Sequence, residues 1–215
     1  MTRDLYEAKK ELVIFLRNND VLSTTTRGVT TKTDTGTFTN ASTFTLSTSP
    51  TAVKNVRSVT IATVLKTPYT DYTVNYDTGV ITFTSQQNGA YSIIYDYGSS
   101  DKIFPDFPQS NLKLNAFPRI AVDIIGGNMK DIDLGAITSV HSYNITVVCY
   151  STDVEELEDM TSAVLNKILA NKKTFYYFKY ITPSVLGPIL NSPGKGDKVL
   201  ARNVDFVSTL NYETN

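Results

Sequence analysis

Cysteine, histidine and excess basic charge are all scarce in this 215-residue chain, and each shortage excludes a class of function. A single cysteine, Cys149, cannot form an internal disulfide framework. Its residue type and its apolar neighbours make it a small buried residue. A single histidine, His141, leaves a zinc centre short of ligands. A serine–histidine–acid triad would have to use it, and no nucleophile-elbow motif is present to serve it. Cys149 lies further along the same predicted strand, roughly 26 Å away at about 3.3 Å per residue, so the two cannot form a dyad. His141 shares a face with Tyr143, Ile145, Val147 and Cys149 and reads as a hydrogen-bonded, partly buried side chain.

The formal net charge is −1 and the pI about 5.8, so no basic patch marks a nucleic-acid binder. Near-neutrality is compatible with DNA that slides past without sticking. No apolar run approaches the roughly 20 residues of a membrane span. The opening MTRDLYEAKKEL lacks the apolar stretch of a signal peptide, which places the protein in a reducing cytoplasm unless it leaves as part of a particle. Hydrophobic residues at 41% and charged residues at 19% make a soluble globular balance, and the length allows one or two domains with a real core.

The motif search leaves no catalytic, cofactor or metal residues to assign. NSPGKGDK (191–198) lacks the spacing and the Lys-Ser/Thr ending of a phosphate loop. DIDLG (131–135) has too few oxygen ligands for a calcium loop. The acids at 153–159 sit where a helix begins and complement its dipole.

What is present is a change of period along the chain. Residues 3–20 read as a helix, with Leu5, Ala8, Leu12, Phe15 and Leu16 on one face. Residues 23–36 read as an exposed connection or a ragged first strand. From there to about 100 the chain is rich in Thr, Ser, Val and Tyr. DYTVNYDTGVITFT (71–84) is a hairpin, with Asp77, Thr78 and Gly79 as its turn. Gln86–Gly89 reads as a further turn before the strand AYSIIYDY. FPDFP (104–108) reads as a rigid link.

The back half then supplies a strand at 117–125, a glycine-bounded polar loop at 126–136 and a strand at 137–150. A helix follows at about 153–171, capped by Thr152 and Glu155. An aromatic extended segment at 174–181, a loop from Pro183 to Lys198 and a last strand at 199–213 complete the order. The expected fold class is α+β: a small mixed or antiparallel sheet flanked by helices, interrupted by an all-β domain. The expected boundaries are 1–22 plus 100–215 for the α+β domain and 23–99 for the insert.

FPRIAVDI (117–124), SYNITVVCYSTDVEELEDMTSAVLNKIL (142–169) and ARNVDFVSTLNYE (201–213), behind a short first helix, resemble the tail terminator proteins of tailed phages and phage-like viruses. The resemblance covers 2–20 and about 107–213. The D-Y-x-V-N-x-x-x-G-x-I-x-F form of residues 71–83 is similar to small β-modules of phage neck and tail proteins. The resemblance implies a virion protein without catalysis or cofactor, assembled in the host cytoplasm. It implies a homohexameric ring that caps the tail tube, ends its polymerisation and meets the head connector, with genomic DNA passing through the lumen. A head-closure, connector or tube protein of the same virion is the alternative.

Two sets of candidate residues follow. Met129, Lys130, Asp131 and Asp133, in the polar loop, are expected at a contact between copies or in the lumen, mobile in the monomer and ordered on assembly. Tyr72, Tyr76, Tyr91 and Tyr95, with Tyr97, crowd the insert. They are read either as its core or as an exposed surface for a partner or a glycan.

Overall fold

A computed structural model describes residues 5–47, 52–105, 117–131, 138–192 and 199–213. For 128–131, 138–141, 192 and 209–213 it describes the backbone alone. The fold is mixed α+β and dominated by strands, with two sheets. The chain divides into two compact units, 1–22 with 102–215, and 23–101. The insert therefore runs two residues beyond its expected end at 99, because Asp101 is bound to Arg27 inside it (3.1 and 2.7 Å).

In the first unit, helix α1 (Leu5–Asn18) buries Ala8, Leu12, Val13 and Leu16, while Leu5 is exposed. The sheet is built from β6 (Ile103–Phe104), β7 (Arg119–Asp131), β8 (Thr138–Ser151), β9 (Tyr180–Leu186), β10 (Leu190–Ser192) and β11 (Val199–Glu213). Its order is β10-β11-β8-β7-β6, with β9 also on β11. Helix α3 (Val154–Ala170) and α1 share one buried cluster with alternate residues of the sheet, among them Ile120, Val122, Ile145, Val147, Val204 and Phe206. Strand alternation puts all six on one face.

Three expectations change in this unit. The cap of α3 is Asp153, whose carboxylate accepts from Glu156 N–H at 2.9 Å, one residue beyond the Thr152/Glu155 box. The segment after Pro183 continues as strand through Leu186 and resumes at Leu190, because β11 offers it a ladder; residues 193–198 lie outside the described residues. The polar loop at 126–136 is strand as far as Asp131, paired with β8 from Gly127↔Tyr143 to Asp131↔Ser139. One extra β7 residue forms a bulge there, made possible by Gly126 at φ 63°.

In the second unit, Thr24–Arg27 forms a short helix, α2, capped by Ser23, where an exposed connection or a ragged first strand was expected; strand begins only at Thr30. Strand β1 (Thr30–Thr45) then pairs with β5 (Val80–Tyr97) along its length. β5 is central: β1 lies on one side, and β2 (Val53–Ile61) and β4 (Tyr72–Asn75) take successive stretches of the other, with β3 (Val64–Leu65) beyond β2. Gln86–Gly89 is not a turn but the irregular middle of β5, matched by a bulge in β1 where Asn40 N–H donates to Asn88 (2.8 Å). Ser47 returns to bond Asp34 at 2.6 and 2.8 Å, so β1 bends back on itself and its two halves face one core.

The hairpin at 71–84 forms with Tyr72↔Phe83 and Asn75↔Val80 in register. Gly79, at φ 67°, takes the left-handed position its glycine suits, and its N–H donates to Asn75 O at 2.8 Å. The Asn75 side-chain carbonyl also accepts from Asp77 and Thr78 N–H (3.0 and 3.1 Å), so Asn75 nucleates the turn as much as Asp77–Gly79 do.

Candidate assembly surface

Among the described residues, the sheet of the first unit has two edges that are open or only partly covered. On one side, β6 covers only Ile120 and Ala121 of β7. Among the described residues no strand pairs with the outer edge of β7 from Val122 to Asp131. On the other side, β9 and β10 lie end to end along β11, broken at Gly187–Ile189. Gly187 bonds back to the β11 backbone (N–H to Asn203 O, 2.9 Å), and its carbonyl accepts from Arg202 Nε at 2.9 Å, so the break is held in place. Val185 (53% exposed), Leu186, Ile189 and Leu190 (57%) carry apolar side chains into solvent along this edge, and Ile125 (53%) does so on β7. Open edges with exposed apolar side chains are what a sheet presents to a further strand.

Met129, Lys130 and Asp131 lie at the end of β7, opposite His141, Val140 and Ser139 of β8. They occupy a strand arm and not a loop, because the bulge at Gly126 lets the ladder continue. Asp133 lies outside the described residues, as do 132–135 of DIDLG, 193–198 of NSPGKGDK and 106–108 of FPDFP. His141 is placed only by register, between Met129 and Leu210.

The tyrosine set of the insert does not form an exposed surface. Tyr72 is 2% exposed and Tyr95 is fully buried. The Tyr95 hydroxyl donates to Asp34 at 3.1 Å, so the ring fills the core while its polar tip is satisfied. Burial, then the nearby Tyr76 and Asp71, push the Tyr72 hydroxyl pKa up. Tyr76 and Tyr91 are half-buried against the same cluster. Tyr91 stacks on Phe38 with ring centroids 4.1 Å apart, and its ring lies over Gly36, where a β-carbon would come within 2.9 Å of it. A small sheet with only a four-residue helix beside it in its unit needs such rings as its interior, and core is the reading the burial selects.

One group was invisible to local pattern. Arg27 has no exposed surface, yet it carries a full charge. Its guanidinium donates to both oxygens of Asp101, to Asp96 (2.9 Å) and to the Asn55 carbonyl (2.6 Å). Asp96 also accepts from Arg57 Nε (2.8 Å) and Thr31 (2.7 Å). Burial alone would raise the Asp96 pKa, but hydrogen bonds from Arg57, Thr31 and Asn55 and the Arg57 charge hold it below the usual range. The cluster ties the start of the insert to its end, which is a structural task. Cys149 is likewise buried, and burial pushes its thiol up to about 12 despite a hydrogen bond to Thr161. Among the described residues, no three His, Cys, Asp or Glu converge as metal ligands, and no helix is long and apolar enough to cross a membrane.

These features define a strand-rich α+β protein that carries an inserted β unit. Comparison with known proteins adds no family: no protein-family model matches the chain, and neither does any curated protein.

Proposed function

We propose that this protein is a structural virion component, a tail terminator whose copies form a ring at the end of the tail tube and join it to the head connector. The observation that carries this reading is spatial. The three segments that resemble the terminator family lie far apart in the chain, yet they fall on β7, on β8 with α3, and on β11, which are neighbours over one core. The open edges on either side of that sheet supply surfaces through which identical copies close a ring. In the ring, the neighbours are chemically simple: the tube protein on one face, the connector on the other, and DNA in a lumen that needs no sequence-reading side chains.

The test is electron microscopy and native mass spectrometry of the purified protein with tail tubes of its own particle. The reading expects rings seated at tube ends and a halt in tube growth. Rings that bind only the connector would favour the head-closure reading, and incorporation along the tube would favour a tube protein. A chain that stays monomeric and never meets a tube or a connector would end all three.

A further inference from the structure

We infer that the open β7 edge of one copy pairs with the open β9–β10 edge of a second copy, so that the sheets of neighbours join head to tail. The inference rests on the ring reading above and adds the surfaces that make the ring.

Strand direction supports it. β9 runs antiparallel to β11, β11 to β8, and β8 to β7. The two outer strands therefore run in opposite directions. A rotation that continues one sheet into the next brings β9 of the second copy alongside β7 antiparallel, the more stable of the two ladder types. Such a contact uses different surfaces on each partner, which is the kind that closes rings.

Lengths and side chains agree with this. Pro183 removes one donor from the β9 edge, so the ladder lies on its C-terminal side, at 184–192. That stretch spans about 30 Å, and the part of β7 that no described strand pairs on its outer edge, 122–131, is of similar length. The same stretch carries all four exposed apolar residues of that edge, Val185, Leu186, Ile189 and Leu190, while Ile125 lies on the facing one. A second copy is the one partner certain to offer both edges at once.

The test uses the full chain. Ile125→Lys alters the β7 edge, and Leu186→Lys with Leu190→Lys alters the other; all three positions are solvent-exposed in the single chain. Each variant is expected to weaken ring formation roughly 30-fold or more in native mass spectrometry and sedimentation. Mixed together, the two variants are expected to give a one-to-one dimer through their intact edges, and neither alone should. Hydrogen exchange on the unaltered protein gives an independent reading, with protection at 122–131 and 184–192 rising from monomer to ring. Rings that survive the variants, or unchanged protection at both edges, would overturn the contact and leave the terminator reading standing. Edge-dependent rings that never seat on tube ends would do the reverse.

Discussion

Replacing Arg27 by methionine removes a cation that joins the start of the insert to Asp96 and Asp101 at its end. Met fills much of the same volume, so the loss is chiefly electrostatic. Arg27 and Asp96 are both without exposed surface, and Asp101 is nearly so. The substitution takes the guanidinium from Asp101, Asp96 and Asn55, while Asp96 keeps Arg57 and Thr31. Removing one partner of a buried pair costs about 3–5 kcal/mol, because the surviving charge stays desolvated. For a domain of this size, each kcal/mol lowers Tm by about 4–8 °C, so a drop of about 12 °C or more is expected for the insert. Arg27→Lys keeps the charge but loses the forked geometry, and should fall between the two. Thermal unfolding by circular dichroism measures the size of the loss, and hydrogen exchange locates it. A loss under about 1 kcal/mol, the scale of a surface pair, would refute the reasoning. So would exchange that rises equally in 5–18 and in 119–131.

Acid should act on the same unit. Asp96 and Asp34 both have folded pKa values held below their ordinary 3.8, Asp34 by Ser47, Tyr95 and Lys32 against the opposing effect of burial. Their contribution is thus complete above that value and is lost as pH falls below it through their lower folded pKa values; a urea midpoint for the insert unchanged between pH 6 and pH 2 would contradict this. Cys149, with its thiol at about 12 and no exposure, should resist a thiol reagent at pH 8 in the native protein and react fully in denaturant. Gly127→Ala should cost about 1–3 kcal/mol, since its new methyl would overlap the Ser142 carbonyl oxygen, a backbone atom that cannot swing aside. Gly126→Ala meets nothing within 4 Å and should cost only about 1 kcal/mol, for φ 63°.

Local signals are strong where one element carries its own cause. The hairpin at 71–84 has its alternation and its turn within a few residues, and so it forms where its residues direct. Helix α3 has its stripe and its acids, although the cap falls on Asp153 because Ser151, bonded to Asp153 N–H at 3.1 Å, ends the strand one residue before the box begins. The interruption of one unit by another is likewise legible as a change of period. By contrast, the extension of β7 through Met129–Asp131 depends on a bulge whose value exists only once β8 lies beside it.

What the sequence determined by itself is the two long helices, the hairpin at 71–84, and the change of period that separates the two units. These follow from residue spacing and composition, which are local. Tertiary structure alone decided that Tyr72 and Tyr95 are core, because a period of two says which residues share a face but not which face is covered. It also decided that Arg27 meets Asp96 and Asp101, partners 69 and 74 residues away, because burial of a charge is set by long-range closure and leaves no periodic trace. The open edges belong to the same class. A strand is an edge only by virtue of what fails to pair with it, and that is a property of the assembled sheet.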